Sequence, residues 1–269
     1  MIMDAEIVTV LSTQTQLIPL PMFQDNYLWV VVTPSGETLA VDVGDYDVLE
    51  TFLIASRRCL TTVLVTHHHP DHTAGLPAVR SRYPDVRIFG PEGISGITDP
   101  VKDGDKLSLG DLGVWQVIDT RGHTAIHLSY YNPLQQTLFC GDTLFSAGCG
   151  RILGGDIHDL YRSLTRLAAL PPETLICPAH EYTLSNIAFA RAAEPDNGDL
   201  LAYQSCCQSL RLRGLPTLPT FLNQELKINP FLRTHLQSVR TNLPDSTVPI
   251  TDSEMAFVAL RHWKDHWKA

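Results

Sequence analysis

At 269 residues, with 20 Lys+Arg against 29 Asp+Glu and a net charge of −9, the chain is long enough to bury a substantial core and has no basic run to neutralise a phosphate backbone. Nucleic acid is therefore excluded as an expected partner. No apolar stretch approaches the ~20 residues of a membrane-spanning helix, and the first basic residue is Arg57, so no secretory leader or transit peptide is read and a cytoplasmic location is expected.

Residues 1–15 read as a flexible extension. β-rich runs follow at 17–20, 27–33 and 38–43, with Pro34-Ser35-Gly36 as a turn between the last two. Residues 48–58 predict a helix. The compact pattern at 62–66 predicts a buried strand that ends at a histidine cluster, and loops at strand ends are where a rigid scaffold displays its chemistry. Further strands are predicted at 86–89, 114–119, 128–131 and 137–140. Apolar residues at helical spacing from Ile157 to Ala168 predict a helix that stops at Pro171-Pro172. Residues 174–177 predict a strand delivering His180. After about residue 183 the β pattern disappears, and helices are predicted at 184–193, at 200–212 and from Asp252 to the end. The six cysteines lack CxxC spacing and read as reduced, mostly buried thiols.

The strongest chemical signal is His67-His68-His69-Pro70-Asp71-His72. Side chains two apart on an extended segment point the same way, so His67 and His69 can reach one ion, while Asp71 and His72, beyond the Pro70 bend, can face a second. Imidazole and carboxylate suit zinc, iron or manganese. Three further candidates lie beside predicted strands: His123 in Gly122-His123-Thr124, Asp142 in Cys140-Gly141-Asp142-Thr143, and His180 in Pro178-Ala179-His180-Glu181. His68 points the other way, and His127 is read as either packed against the ligands or part of their support. His158, His235, His262 and His266 are read as surface or helix residues.

This order of ligands resembles the metallo-β-lactamase superfamily pattern, HxHxDH followed by His, Asp and His. The resemblance implies an αβ/βα sandwich, here with a small C-terminal helical domain. Phe23-Gln24-Asp25-Asn26-Tyr27, Cys140 to Phe145, Gly148 to Arg151 and His180 to Thr183 resemble the glyoxalase II family more closely, over about residues 16–266. That likeness implies a catalytic domain over 1–183 and a helical substrate-binding domain over 184–269. It also implies two divalent ions, zinc foremost with iron or manganese as alternatives: His67, His69 and His123 on one, Asp71, His72 and His180 on the other, and Asp142 bridging. Ile126 and Leu153 depart from the family pattern.

The implied reaction is hydrolysis of an S-(2-hydroxyacyl)glutathione thioester by a metal-bound hydroxide, with Asp71 and Asp142 in the catalytic centre. Glutathione carries carboxylates, so a chain of net −9 needs a local cationic region. Residues 201–240 hold Arg211, Arg213, Lys227, Arg233 and Arg240 against Glu225 alone. The resemblance narrows the substrate contacts to Arg151, Tyr182, Arg261 and Lys264. The last two lie three apart, on one face of a helix. The alternatives are a persulfide dioxygenase with one iron and a scaffold that binds without catalysis. Against the latter, all seven ligand positions are filled. A monomer with no membrane partner is expected.

Overall fold

The computed structural model describes residues 9–11, 14–244 and 250–268. The chain divides into two compact units, one of Met1–Asp119 with Ile126–Gly141, the other of Thr120–Ala125 with Asp142–Ala269.

In the first unit, part of the extension expected over 1–15 is ordered: Thr9–Val10 form β1, antiparallel to β2 (Gln16–Met22). Residues 1–8, 12 and 13 lie outside the described residues. A meander continues through β3 (Asn26–Val32) and β4 (Glu37–Val41), and β5 (Cys59–Leu64), β6 (Arg87–Gly90) and β7 (Asp99–Pro100) add in parallel, completing a seven-stranded sheet in sequence order. All seven residues of β3 are buried, because both faces of this sheet are covered and its sequence is a continuous apolar run rather than an alternation.

The parallel step from β4 to β5 requires a crossover, supplied by α1 (Tyr46–Ser56), and α2 (Pro70–Thr73) and α3 (Leu76–Arg82) follow β5. Asp45 caps α1: its Oδ1 accepts from the N–H of Asp47 at 2.9 Å and of Val48 at 3.3 Å. Asp45→Ala is expected to cost about 1 kcal/mol of stability, read as a lowered urea midpoint with an unchanged slope.

Four antiparallel strands, β8 (Lys106–Ser108), β9 (Val114–Asp119), β10 (Leu128–Asn132) and β11 (Thr137–Gly141), complete the unit. They pack on the larger sheet through aromatic rings. Phe139 stacks on Trp115 with centroids 5.1 Å apart and meets Trp29 of β3 at 6.5 Å.

The second unit opens with a hairpin of β12 (Leu144–Phe145) and β13 (Gly148–Cys149). Next comes α4 (Ile157–Ala168), with the bounds its periodicity predicts; it buries Leu160, Leu164 and Leu167 and is capped by Asp156. β14 (Leu175–Pro178) delivers His180, and α5 (Thr183–Ala193), α6 (Gly198–Leu212), α7 (Leu222–Ile228), α8 (Gln237–Arg240) and α9 (Ser253–His266) follow.

The expectation that β structure ends near residue 183 is corrected: Thr220–Phe221 form β15, antiparallel to β14. Two residues are too few to leave a periodic signature, and their conformation is set by the strand they pair with. Among the described residues no helix is long and apolar enough to cross a membrane. Four of the six cysteines are buried and all are free, Cys59 and Cys206 being exposed.

Candidate metal centre and substrate cavity

The first donor set sits in the loop after β5. Pro70 fixes the first position of α2, a one-turn helix, and holds His69 before it extended at φ −60°, ψ 146°. The His67 ring packs against both neighbours, with centroids 4.6 Å from His69 and 4.1 Å from His72. The His67 Nε2 and His69 Nδ1 atoms lie 3.0 Å apart. Asn26 Nδ2 donates to Asp71 Oδ2 at 2.8 Å, and His72 Nε2 lies 3.4 Å from the same oxygen.

The protonation of these rings follows from their neighbours. Thr66 Oγ1 donates its hydrogen to Asp42 Oδ2 at 2.8 Å and lies 3.0 Å from His67 Nδ1, so that nitrogen is the donor to the hydroxyl. His72 Nδ1 donates to Asp42 Oδ2 at 3.0 Å. In both rings Nε2 is left as the lone-pair nitrogen, the form in which imidazole ligates a cation. Asp42 is 2% exposed, sits at φ +57°, and also accepts from the Thr66 N–H at 2.8 Å. His127 stacks on His67, centroids 4.8 Å apart, and is buried.

The second unit carries an independent donor set. His123 Nδ1 donates to the Arg151 carbonyl at 2.7 Å; a carbonyl only accepts, so here too Nε2 carries the lone pair. That Nε2 lies 3.5 Å from Asp142 Oδ2, while His180 Nε2 lies 3.4 Å from Asp142 Oδ1. Asp142 thus presents one oxygen to each histidine. Gly150 is required beside it, since a Cβ there would come within 2.0 Å of the Asp142 carbonyl. His180 stacks on Tyr182 at 4.6 Å and 6°, with the edge of Phe145 at 5.9 Å. Lone-pair nitrogens beside carboxylate oxygens suit a divalent cation, and each unit carries donors of that chemistry.

His123 and Asp142 line a cavity of about 530 Å³ in the second unit, whose wall also includes Phe145, Cys149, Arg151, Leu153, Tyr182, Asn186, Arg261 and Lys264. All four residues expected to contact substrate, Arg151, Tyr182, Arg261 and Lys264, are therefore brought together. They differ in what they already hold. Arg261 is 1% exposed; its Nη1 donates to the carbonyls of Cys149 at 3.2 Å and Gly150 at 3.4 Å, and its Nη2 pairs with Asp265 at 2.8 Å. Lys264 donates to Asn186 Oδ1 and lies over the rings of Phe189 and Phe231. Burial, aided by the neighbouring Arg261 cation, pushes the Lys264 ammonium down to about 7.

Asp42 and Asn186 have no part in the sequence reading. Asp42 lies 30 residues from His72 and Asn186 lies 78 from Lys264; the only trace of the former is the carboxylate of Val41-Asp42-Val43-Gly44 at a strand end. His68, His158, His235, His262 and His266 are exposed, as expected.

Residues 25–180 match the family model of the metallo-beta-lactamase superfamily and residues 181–267 that of the hydroxyacylglutathione hydrolase C-terminus. The chain is 41% identical over 258 residues to a hydroxyacylglutathione hydrolase of Hahella chejuensis, covering 94% of this chain and 100% of that one. It is 43% identical over 251 residues to that of Vibrio parahaemolyticus, covering 92% and 98%. The crystal structure of the B3 metallo-beta-lactamase BLEG-1 superposes with a TM-score of 0.61 at 22% identity, over 81% of this chain and 99% of that one, a likeness of fold. With a metallo-β-lactamase domain followed by the C-terminal domain of these hydrolases, the chain belongs to the hydroxyacylglutathione hydrolase (glyoxalase II) family of the metallo-β-lactamase superfamily.

Proposed function

We propose that the chain hydrolyses S-(2-hydroxyacyl)glutathione, with S-D-lactoylglutathione as the substrate to test, to glutathione and the 2-hydroxy acid (D-lactate). This is the second step of methylglyoxal detoxification, carried out in the cytoplasm by a monomer that needs neither nucleic acid nor membrane. The observation that carries the reading is the cavity: the donors His123 and Asp142 line the same wall as Arg151, Arg261 and Lys264. Family membership supports it.

His67, His69 and His123 would hold one divalent ion, Asp71, His72 and His180 the other, and Asp142 would bridge them. Zinc is the ion proposed, and iron or manganese suits the same donors. Bound there, the ions supply Lewis acidity toward the thioester carbonyl and toward water. The rest falls to the chain's own side chains. Asn26 and Asp42 orient Asp71 and His72. Lys264 and Arg151 hold the carboxylates of the glutathione moiety, Tyr182 and Phe145 pack against it, and the helical segment 184–269 serves as the substrate-binding domain. A departing thiolate, with a parent pKa of about 8.5, needs no dedicated acid.

Elemental analysis combined with thiol release from S-D-lactoylglutathione tests the proposal. Two ions per chain are expected, with turnover lost on chelation and restored on metal addition. A fully metallated chain that releases no thiol overturns it. Asp42→Asn must turn its NH₂ against either the His72 Nδ1 hydrogen or the Thr66 N–H, and metal affinity is expected to fall by about 10–100-fold, measured by competition with a chelating dye.

A further inference from the structure

Glu225 is a carboxylate with 0% exposure and no cation paired with it among the described residues. Burying a carboxylate costs several kcal/mol unless hydrogen bonds compensate. Here four bonds offset that cost in part, two of them from the turn Ser146-Ala147 that joins β12 to β13; burial still pushes the Glu225 carboxyl up to about 7. Glu225 Oε2 accepts from the Ala147 N–H at 2.7 Å, and Oε1 accepts from the Ser146 hydroxyl at 2.9 Å and the Thr220 hydroxyl at 3.0 Å. Asn229 Nδ2 donates to the carbonyls of Phe145 at 3.0 Å and Gly148 at 2.9 Å, and approaches Glu225 Oε2 at 3.2 Å.

The turn needs such support. Ala147 lies at φ +54°, a left-handed conformation that favours glycine and costs an alanine about 1 kcal/mol or more. The hairpin in turn aims side chains at the cavity. Phe145, before the turn, sets its edge against His180 at 5.9 Å and Tyr182 at 5.2 Å. Asn186 joins the turn to the cavity's cation, donating to the Ser146 carbonyl at 3.0 Å while accepting from Lys264.

We infer that Glu225 is a positioning residue, which with Asn229 latches the 144–149 hairpin so that Phe145 and Lys264 meet the substrate in register. The inference rests on the hydrolase reading for its kinetic consequence, but not for its structural one. A glutamine at 225 can keep the latch. Its carbonyl oxygen can take the Ala147 and Asn229 hydrogens, while its NH₂ faces the Ser146 and Thr220 hydroxyls, which can rotate to accept. An alanine cannot, and leaves the Ala147 N–H buried without its acceptor.

The test uses the full-length metallated protein in wild-type, Glu225→Gln, Glu225→Ala and Asn229→Ala forms. Cys149, in β13, is 3% exposed, so its labelling by a thiol reagent, read by peptide mass, reports opening of the hairpin; the exposed Cys59 and Cys206 serve as internal references. Glu225→Ala and Asn229→Ala are expected to speed Cys149 labelling and raise KM for S-D-lactoylglutathione about tenfold with kcat little changed, the size of one buried hydrogen-bonding group. Glu225→Gln is expected to restore both. If Glu225→Ala fails to fold, Asn229→Ala carries the test. Unchanged labelling and KM in a folded Glu225→Ala or Asn229→Ala protein overturns the inference, as does a Glu225→Gln protein as impaired as Glu225→Ala. The labelling reads the hairpin whether or not the wild type turns over glutathione thioesters, so failure of the activity proposal is told apart from failure of the latch.

Discussion

Asp142→Ala is expected to lose most bound metal and nearly all thioester hydrolysis while its far-ultraviolet circular dichroism stays that of the wild type. The expectation comes from the geometry around that carboxylate. One oxygen faces His123 Nε2 at 3.5 Å and the other faces His180 Nε2 at 3.4 Å, so a single side chain joins the two histidines of the second unit. On the proposed reading, removing it would delete a shared anionic ligand, and metal chemistry contributes several kcal/mol to such hydrolyses. A loss of about a thousandfold or more in kcat/KM follows, at roughly tenfold per 1.4 kcal/mol. Asp142→Asn, which keeps one neutral oxygen, should retain more metal than the alanine variant. Wild-type metal content and rate in Asp142→Ala would remove the bridging role.

Lys264→Ala is expected to raise KM for glutathione thioesters by about 10–100-fold with a much smaller change in kcat, the 1.5–3 kcal/mol typical of a hydrogen bond to a charged group. A small thioester without the glutathione carboxylates should be hydrolysed almost as before. Lys264 is the sharper test of the two cationic residues on α9, because the Arg261 guanidinium already holds the Cys149 and Gly150 carbonyls and Asp265. An Arg261 variant would therefore disturb the cavity wall as well as its charge.

The same lysine gives the wild type a pH signature. Burial, with the Arg261 cation behind it, pushes Lys264 down to about 7, so it is charged below that pH and loses its charge above it. KM should rise as pH climbs past about 7, until the pKa of the substrate-bound lysine is reached. Lys264→Arg, whose guanidinium stays charged, should flatten that rise. For stability the sign is opposite: a lysine depressed on folding binds fewer protons folded than unfolded, so its contribution is present at alkaline pH and is lost as pH falls through about 7. Steady-state kinetics and urea melts over pH 6–9 (a range of about three units around neutrality) would separate the two effects.

Wherever function rests on residue identity within a short run, the sequence was sufficient. The His67 to His72 run follows a strand, and Pro70 starts a helical turn after an extended His69; proline restricts its neighbour locally, so no tertiary information is needed. The same holds for α4, whose apolar spacing marks the face that is buried. Arg261 and Lys264 share a helix face, and both line the cavity. What sequence could not yield are partnerships between residues far apart along the chain. His72 takes its proton position from Asp42, 30 residues away, and the Ala147 turn takes its conformation from Glu225, 78 residues away. β15 exists because β14 lies beside it. Glu225 looked like the lone acid in a cationic stretch; only packing decided that it is a buried acceptor, and that Arg261, read as a substrate contact, also braces two carbonyls. Burial changes what a charged group can do, and burial is a property of the folded chain rather than of any segment of it.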